Sequence, residues 1–339
     1  MLTKALVFSG PGEVSCREAD IGEPGGDSAL VRVEACGICA TDLHILRGEF
    51  LARPPVILGH EFSGVVERGP DSILGQRVSV EPHHYCGVCK PCRSGRENLC
   101  TDRRAYGLNQ NGGMARWAVV DPRNCYPVPP SVPARIAALA ENVACCIHGV
   151  DRAGVRLGDD VAVVGAGAVG LILLQLARRA GAARILVVEP DPARAALALE
   201  LGASAAVAPG DAPRALAELT AGELADVVID ATGVASAQRL ALELAGRGAT
   251  VEFFGVASPA ERIAVSAYDV YARELAIVGA ALNPGTHLRA VQALSWLELD
   301  AIAGDGVSLE AARAHLTGQR PVPAIKVVVD PWREDAAGA

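Results

Sequence analysis

The segment VVGAGAVG constrains the fold of this chain more than any other part of the sequence. It carries Gly165, Gly167 and Gly170 in the spacing G-x-G-x-x-G, after an apolar run rich in valine and before a helical one. In a strand–turn–helix context this spacing predicts a dinucleotide-binding turn. The glycines allow a tight turn, close approach of the backbone to a pyrophosphate and close helix packing. A plain tight turn between strand and helix is the alternative interpretation.

A carboxylate follows this turn where a ribose would lie. Glu189 ends the next apolar run, 19 residues after Gly170. Its side chain can accept hydrogen bonds from both ribose hydroxyls and would repel a 2′-phosphate, which predicts NAD rather than NADP. Arg194 opposes this prediction, since a guanidinium can bind a 2′-phosphate or stack on adenine. The residues predicted to contact the cofactor are Gly165, Gly167, Ala168, Val169, Gly170, Glu189, Arg194 and, in the DATG segment after a later strand, Thr232 and Gly233.

The pattern of apolar residues divides the chain into two regions. Up to about residue 130, short β-branched runs are bounded by glycine, proline and aspartate, which predicts a small, partly closed barrel. From about residue 155, almost wholly apolar strands alternate with helical segments, which predicts a parallel sheet with helices on both faces. The end of the chain, a helix, a loop and a strand, is expected to rejoin the first region.

Composition excludes several classes of protein. The chain has 339 residues, of which 50% are hydrophobic, enough for two domains with buried cores. Its formal net charge of -8 disfavours nucleic acid and anionic membranes as partners. No signal peptide is visible, and the longest uncharged apolar stretch, 161–177, contains three glycines. We therefore expect a cytoplasmic protein whose ten cysteines bind metal, react or pack rather than form disulfides.

Four of the cysteines lie close together in a polar loop. Cys86, Cys89, Cys92 and Cys100 have the spacing C-x2-C-x2-C-x7-C. Four thiolates around one ion form a closed tetrahedral zinc site with no position for a substrate, so the spacing predicts a structural zinc. An iron–sulfur cluster also uses C-x2-C-x2-C runs. Four packing cysteines are the third interpretation, which a loop rich in glycine, proline and lysine disfavours.

Three further segments carry potential ligands of a second zinc: CGICATDLH at 36–44, GHEFSG at 59–64 and AENVACCIHG at 140–149. A catalytic zinc takes three protein ligands of nitrogen, sulfur or oxygen type and keeps a fourth position open. Cys39, His60 and a carboxylate would meet that requirement. Spacing alone does not connect the three segments, because each residue taken singly also suits packing or the surface.

Taken together, these segments resemble the zinc-dependent medium-chain dehydrogenase/reductase family, in its polyol- and sorbitol-dehydrogenase-like branch and also in its threonine dehydrogenases. The landmarks run in the family's order from KALVF through GICATDLH, GHEFSG, CGVCKPC, NGGMARW, VAVVGAGAVG and ALNP to KVVVDP, nearly the whole chain. The resemblance implies an α/β fold class. A GroES-like β-rich catalytic domain would comprise residues 1–147 and 284–339, and a Rossmann NAD-binding domain residues 148–283.

The resemblance also implies two zinc ions per chain, one catalytic and one structural. The catalytic ion would be held by Cys39 and His60 with a glutamate of an EPL-like motif, here Glu141, which binds the metal directly or through water. Asn142 stands where that motif has proline. In the alcohol-dehydrogenase branch the third ligand is a cysteine three residues further on. Cys145 is adjacent to that position and is the second candidate.

Four more residues receive roles by the same resemblance. Glu61, which follows the ligand histidine, can join the ligands of the zinc when water leaves. Zinc would lower the pKa of a bound alcohol. Thr41 is placed to accept the alcohol's proton and His44 to pass it towards solvent, while Asp42 would orient this loop or a ligand histidine. The hydride would move to the nicotinamide ring.

The sequence therefore predicts a zinc-dependent oxidoreductase that transfers a hydride between NAD and a secondary alcohol, with a small-molecule alcohol or ketone as its partner. The alcohol would belong to a polyol, sugar, cyclitol or amino alcohol. A threonine-type 3-hydroxy amino acid dehydrogenase is the alternative, and its substrate carboxylate would need a cation such as Arg47 or Arg116. A non-catalytic family member is the remote alternative, disfavoured because the catalytic ligands are retained. We expect a homodimer or homotetramer.

Overall fold

The two sequence patterns fold into two units in the computed structural model of the chain. The structure describes residues 1–50, 52–321 and 324–335. Unit 1 comprises Met1–Ala144 and Pro284–Ala339, and unit 2 comprises Cys145–Asn283. The boundary after Ala144 falls within a helix. The domain boundaries predicted from the sequence lie between residues 147 and 148 and between residues 283 and 284. They stay a prediction.

The strands are β1 (Leu2–Gly10), β2 (Glu13–Asp20), β3 (Ala29–Gly37), β4 (Val56–Ile57), β5 (Glu61–Arg68), β6 (Arg77–Val80), β7 (His83–His84), β8 (Arg104–Ala105), β9 (Trp117–Val120), β10 (Cys125–Pro127), β11 (Asp160–Val164), β12 (Arg184–Val188), β13 (Ala205–Val207), β14 (Ala225–Asp230), β15 (Ala245–Phe253), β16 (Ala276–Gly279), β17 (Ala303–Val307) and β18 (Lys326–Val329). The α-helices are α1 (Ala40–Leu46), α2 (Lys90–Arg93), α3 (Ala134–Ala137), α4 (Ala140–Ala153), α5 (Ala168–Ala180), α6 (Pro192–Glu200), α7 (Ala212–Leu219), α8 (Ala235–Leu244), α9 (Ala267–Ala272), α10 (His287–Ala293) and α11 (Leu309–Leu316). Short 3-10 helices span Glu97–Leu99, Pro122–Asn124 and Pro209–Asp211.

Unit 1 is built on β-sheets. The largest sheet has the strand order β10-β6-β5-β3-β18-β17, and β9 also pairs with β3, while β2-β1-β4 and β7-β8 form smaller sheets. Side chains alternate along β3: Val31 and Val33 are completely buried, and Arg32 pairs with Glu34 on the other face at 3.0 Å. The core contains apolar side chains from most of these strands, among them Leu6, Phe8, Val31, Val33, Phe62, Val78, Val80 and Met114.

Unit 2 contains a six-stranded parallel sheet, in the order β13-β12-β11-β14-β15-β16, which confirms the α/β pattern predicted from the sequence. In the central strand β11, Val161 lies between Ile185 of β12 and Val227 of β14, and every residue of the strand is buried. Burial on both faces explains why these strands read as unbroken apolar runs. The order reverses at β11, so its carboxyl end is the switch point where such sheets bind ligands.

The long apolar stretch at 161–177 is divided between a strand and a helix. It covers most of β11, the glycine-rich turn and most of α5, which ends at Gly181 with a φ of +110°. Helix α6 follows β12 and begins at Asp191, whose carboxylate accepts hydrogen bonds from the N–H groups of Ala193 and Arg194. Among the described residues, no helix is long and apolar enough to cross a membrane.

Candidate metal centres and cofactor site

Three side chains with different donor atoms meet in unit 1. The candidate ligand atoms of Cys39, His60 and Glu61 all lie within 4.8 Å of one another. Cys39 is the N-cap residue of α1, His60 directly precedes β5, and Glu61 is the first residue of β5. His60 and Glu61 are buried, and Cys39 is half-buried. A sulfur, a nitrogen and an oxygen at this distance form the donor set that a zinc with one open position takes.

The backbone of β3 leaves room for this group. Gly37 stands opposite Glu61 in the antiparallel β3–β5 pair. A Cβ atom at Gly37 would lie 2.1 Å from Oε2 of Glu61 and 3.0 Å from Cε of Lys326. The first distance is shorter than any real contact of a Cβ atom. Position 37 therefore requires glycine, because a side chain would displace the carboxylate from its place beside His60.

Asp42 connects two residues of the group, which agrees with the orienting role predicted for it. Its completely buried carboxylate accepts a 2.8 Å hydrogen bond at Oδ2 from the N–H of Cys39, and Oδ1 lies 3.7 Å from Nδ1 of His60. Burial raises the pKa of Asp42, while the neighbouring His60 acts to lower it. A carboxylate beside one ring nitrogen orients a histidine whose other nitrogen binds a metal.

The buried ammonium group of Lys326 balances the charge of Glu61. Its Nζ donates a 2.7 Å hydrogen bond to Oε1 and lies 2.6 Å from Oε2. Burial by itself would raise the pKa of the Glu61 carboxyl, but Lys326 and His60 lower the pKa below its ordinary value. Glu61 is therefore held as a carboxylate, the form that binds metals. The sequence analysis missed Lys326, whose one signal is a charge in the otherwise apolar strand KVVV.

The two other predicted ligands, Glu141 and Cys145, lie outside this group within the described part of the chain. Glu141 is buried in the first turn of α4, and Cys145 is half-buried and belongs to unit 2. Asn142 links Glu141 to the group, since its Nδ2 donates a 2.7 Å hydrogen bond to Oε1 of Glu61 and lies 3.4 Å from Oε2 of Glu141. The structure thus brings Glu61, rather than Glu141, next to the sulfur and the imidazole.

Both residues predicted to carry the proton lie on α1. Oγ1 of Thr41 is 3.6 Å from Sγ of Cys39, at the start of the helix. His44 lies in the last turn and is partly exposed, and its Nδ1 is 2.5 Å from Oε2 of Glu49. The helix therefore places one proton-carrying group beside the candidate ligands and the other beside a carboxylate near solvent.

The four-cysteine loop forms the second group of candidate ligands. The Sγ atoms of Cys86, Cys89, Cys92 and Cys100 all lie within 4.8 Å of one another. The N–H of Cys86 donates to Sγ of Cys100, and the N–H of Cys89 donates to Sγ of Cys86, both at 3.3 Å. Backbone hydrogen bonds at Cys92 and Thr101 lower the pKa of the Cys89 thiol to about 6. These free, partly exposed thiols have the arrangement of a closed four-thiolate metal site, not of packing cysteines.

The glycine-rich turn of unit 2 has the conformation that a pyrophosphate requires. Gly165 has a φ of +102°, and a Cβ atom at Gly170 would lie 1.8 Å from the carbonyl oxygen of Gly165. Beyond the chain neighbours of Gly167, no atom of the described residues lies within 4 Å of a Cβ added there, so a ligand can approach the backbone. Helix α5 begins without a side-chain cap, which leaves its first N–H groups for an anion.

Glu189 is fixed beside this turn. Its Oε2 accepts a 2.7 Å hydrogen bond from the N–H of Ala166, and its Oε1 accepts one of 3.0 Å from the N–H of Asp191. Each carboxylate oxygen keeps a further lone pair for a ribose hydroxyl. Glu189 is buried, whereas Arg194, in the first turn of α6, is exposed. Two backbone N–H groups therefore hold the carboxylate of Glu189, the residue expected to accept the ribose hydroxyls.

Thr232 and Gly233 are held by a residue that the sequence analysis did not single out. Asp230, completely buried at the end of β14, accepts hydrogen bonds from the N–H and Oγ1 of Thr232, at 2.9 and 2.6 Å, and from the N–H of Gly233 at 3.2 Å. A Cβ atom at Gly165 would lie 2.6 Å from Cγ2 of Thr232, so the two turns are adjacent. An aspartate before a turn is the sequence signal for such a role.

The parallel sheet with its glycine-rich turn, the open three-donor group and the closed four-thiol group define a zinc-dependent nicotinamide dehydrogenase. Two family models match the chain and together cover more than half of it. The model of the alcohol dehydrogenase GroES-like domain matches residues 25–130, and that of zinc-binding dehydrogenase matches residues 168–298.

Individual relatives extend this match. The chain is 35% identical over 306 residues to the D-altritol 5-dehydrogenase of Agrobacterium fabrum, which covers 87% of this chain and 88% of the relative. It is 33% identical over 267 residues to an L-threonine 3-dehydrogenase of Coxiella burnetii, with 76% and 77% covered. A crystal structure described as a zinc-binding dehydrogenase from Sinorhizobium meliloti bound to NADP is similar at a TM-score of 0.93 and 37% identity, covering 98% and 100%. The chain belongs to the zinc-dependent medium-chain dehydrogenase family.

The fold class and family predicted from the sequence are thereby confirmed, and so is the pairing of zinc with a nicotinamide cofactor. The chain is an oxidoreductase of the alcohol- and polyol-dehydrogenase type. The predicted preference for NAD is not decided by these comparisons, since the similar structure from Sinorhizobium meliloti holds NADP. The assignment of individual site residues rests on the geometry described above.

Proposed function

We propose that this protein oxidises a secondary alcohol of a polyol, or reduces the corresponding ketone, with NAD as coenzyme. The observation that carries the proposal is the group of Cys39, His60 and Glu61, in which three different donor atoms within 4.8 Å leave one coordination position for a substrate. The altritol dehydrogenase among the relatives supports a polyol as the substrate class. Sugars, cyclitols and amino alcohols carry the same secondary hydroxyl and are the nearest alternatives.

Zinc fits the residues of the open group. The thiol, imidazole and carboxylate of the group are donor types that zinc binds, and Glu61 is held as a carboxylate by Lys326, whose Nζ lies 2.6 Å from Oε2. Cys39, His60 and Glu61 would hold the ion, with Glu141 beside them. Bound zinc supplies a Lewis acid that lowers the pKa of an alcohol. The four-cysteine loop would hold the structural zinc.

The residues of α1 remove the proton of the alcohol. Thr41 relays it: its hydroxyl, whose Oγ1 lies 3.6 Å from the ligand sulfur, accepts the alcohol's proton as it gives up its own. His44 passes the proton towards solvent, and its Nδ1 is in contact with Glu49. Asp42 keeps the N–H of Cys39 and the ring of His60 in place.

The residues of unit 2 bind the coenzyme. A bound nicotinamide supplies the hydride acceptor. The N–H groups at the start of α5 hold the pyrophosphate, and Glu189 accepts hydrogen bonds from both ribose hydroxyls, which disfavours a 2′-phosphate. We expect kcat/KM to be higher with NAD than with NADP. The ratio of kcat/KM with NAD to kcat/KM with NADP should fall in Glu189→Gln, because glutamine carries no charge to repel the 2′-phosphate. A wild-type preference for NADP would contradict the proposed coenzyme.

Steady-state assays of pentitols and hexitols beside L-threonine test the substrate class. Activity on polyols supports the proposal, and activity on threonine alone would replace it with the amino acid dehydrogenase that one relative represents. The carboxylate of threonine needs a cation. Arg116 is already engaged, since its Nε donates to the carbonyl of Pro331 at 3.2 Å and its guanidinium stacks on Trp332 at 5.0 Å. Arg47 is exposed and is the remaining candidate.

Metal content and assembly complete the proposal. We expect two zinc ions per chain. One zinc per chain, together with no effect of Cys39→Ser on any activity, would identify a non-catalytic member of the family.

We also propose a cytoplasmic homodimer or homotetramer. Light scattering at assay concentrations distinguishes these states, and a monomer there would contradict the proposed assembly.

A further inference from the structure

Asn142, which stands where the EPL-like motif of the resemblance has proline, is buried in the first turn of α4. Its Nδ2 donates a 2.7 Å hydrogen bond to Oε1 of Glu61 and lies 3.4 Å from Oε2 of Glu141. One amide group therefore contacts both carboxylates that the site offers to a metal. A proline would contact neither in this way, because it has no side-chain donor.

The two carboxylate oxygens of Glu61 have different surroundings. Oε1 contacts both Asn142 Nδ2 and Lys326 Nζ, each at 2.7 Å, whereas among the hydrogen bonds and ion pairs of the described residues Oε2 has the ion pair with Lys326 alone. Lys326 Nζ lies almost equally far from the two oxygens, at 2.7 and 2.6 Å. The lysine thus balances the charge without distinguishing the oxygens. The amide of Asn142 binds Oε1 and not Oε2, so it is the contact that makes the two oxygens different.

We propose that Asn142 is a positioning residue of the open metal centre. By binding Oε1 of Glu61 it turns Oε2 towards Cys39 and His60, and the same amide contacts Glu141 at 3.4 Å. The inference deepens the proposed function, on which it rests for the identity of the metal as zinc. Residues that hydrogen-bond to metal ligands fix the orientation of those ligands, and their loss weakens metal binding.

Two substitutions remove the amide without adding a charge. N142L keeps the number and branching of the side-chain heavy atoms of asparagine, with larger methyl groups in place of the amide oxygen and nitrogen, and N142A opens a space beside Glu61. We expect both variants to bind Zn2+ at the open site about 10- to 100-fold more weakly than the wild type. The loss should be larger in N142L, because a water molecule can enter the space in N142A and donate to Oε1 in place of the amide.

Zn2+ affinity of the full-length chain, measured by competition with a chelator, reports this loss without an activity assay. After replacement of zinc by Co2+, the visible absorption bands of the open site report its ligand geometry. We expect those bands to shift in N142L. The bands of the four-thiolate site should stay as in the wild type, because Asn142 makes its hydrogen bond to Glu61 and not to that loop.

Asn124 offers a matched control. It is another buried asparagine of unit 1, and its Nδ2 donates to the backbone carbonyls of Glu81 and His83 at 2.7 and 2.9 Å. N124A also removes a buried amide, so it should lower the melting temperature. The Zn2+ affinity of the open site should be unchanged in N124A, because Asn124 does not hydrogen-bond to Glu61.

The outcomes separate this inference from the proposed function. Wild-type Zn2+ affinity and an unchanged cobalt spectrum in N142L and N142A would show that Asn142 does not position Glu61, while two zinc ions and polyol activity in the wild type would leave the function standing. An equal loss of affinity in N124A would also overturn the inference, since general destabilisation would then explain it. If N142L does not fold, the affinity of N142A decides. A wild-type chain with one zinc would instead contradict the proposed function.

Discussion

The closed and the open metal groups of unit 1 are built differently. The closed group takes four identical donor atoms from residues 86–100, and none of its thiols is fully buried. The open group takes three different donor atoms from α1 and from the start of β5, and two of its three residues are buried. Behind it stand Asp42, Asn142 and Lys326, which hydrogen-bond to Cys39 or to Glu61.

The difference follows from what each group has to do. Four thiolates complete a tetrahedral shell, so the donors alone determine the geometry and the ion closes a surface loop. Three donors leave a position vacant, and their directions must be set by neighbouring residues. Because the open group is buried, each of its charged residues also needs a partner of opposite charge or a hydrogen bond. The open group is therefore sensitive to residues that touch no metal, and the closed group is not.

The largest expected effect on activity comes from a serine in the open group. Cys39→Ser removes the sulfur ligand, and kcat/KM for the best polyol should fall by about 1000-fold or more, since a Lewis acid contributes several kcal/mol to the transition state. The melting temperature should stay close to that of the wild type. Zinc analysis should show the loss of one ion per chain, and retention of both ions with full activity would exclude Cys39 as a ligand.

A cysteine-to-serine substitution in the closed group should lower stability and leave activity nearly unchanged. Cys92→Ser should lower the free energy of unfolding by roughly 5 kcal/mol or more, because the binding energy of a structural zinc is folding energy. Turnover per folded molecule should change little. Thermal unfolding and active-site titration measure the two quantities. A well-folded but inactive Cys92→Ser variant would show that the roles of the two groups are exchanged.

Removal of the charge of Lys326 should lower the free energy of unfolding by somewhat less than Cys92→Ser does. Lys326→Met removes the ammonium that pairs with the buried carboxylate of Glu61, and the metal-free protein should lose about 3–5 kcal/mol of stability. The zinc-loaded protein should lose less, because the ion then balances the charge. Denaturant unfolding with and without chelator tests this. Arg214→Met, which breaks an exposed ion pair with Glu218, is the control and should have little effect in either state.

The smallest expected effect is a change in stability with pH, and it comes from Glu81, a carboxylic acid that belongs to neither metal group. Glu81 is buried, with its Oε2 accepting a hydrogen bond from Tyr126, and burial raises its pKa to about 7. Its folded pKa lies above the unfolded value, so stability is highest below pH ~4.5 and declines up to pH ~7, by at most about 3 kcal/mol.

Glu81→Gln should remove this decline and gain up to about 3 kcal/mol at pH 8. Unfolding free energies across that pH range provide the measurement, and an unchanged pH profile would show that Glu81 is already ionised in the folded chain. The variant should leave the zinc content of both groups as in the wild type, which separates a general effect of buried charge from an effect on either metal.

The parts of the fold that could be predicted from sequence are those whose residues lie close along the chain. The glycine-rich turn, the strand before it and the carboxylate after the next strand all fall within 161–189. The parallel sheet followed from unbroken apolar runs, since only burial on both faces tolerates them. The four cysteines likewise lie in one loop. Resemblance to the family, rather than spacing, joined Cys39 to His60.

The support of the open group could not be predicted in the same way. Lys326 is 265 positions from Glu61 in the sequence, and Asn142 is 81 positions away. The choice of Glu61 over Glu141 as the neighbour of Cys39 and His60 also depends on the strand pairing that places Glu61 opposite Gly37. Such contacts leave no spacing pattern, because nothing fixes the number of residues between them.

The sequence by itself determined the class of fold, the cofactor-binding turn and the closed four-thiol group. Each of these arises from local geometry, where the backbone connects the interacting residues. Only the tertiary structure decided which carboxylate stands beside the sulfur and imidazole donors and which residues hold it there. A mixed, buried donor set is assembled from distant strands and helices. Its charges are balanced by whichever groups the packing brings within hydrogen-bonding distance.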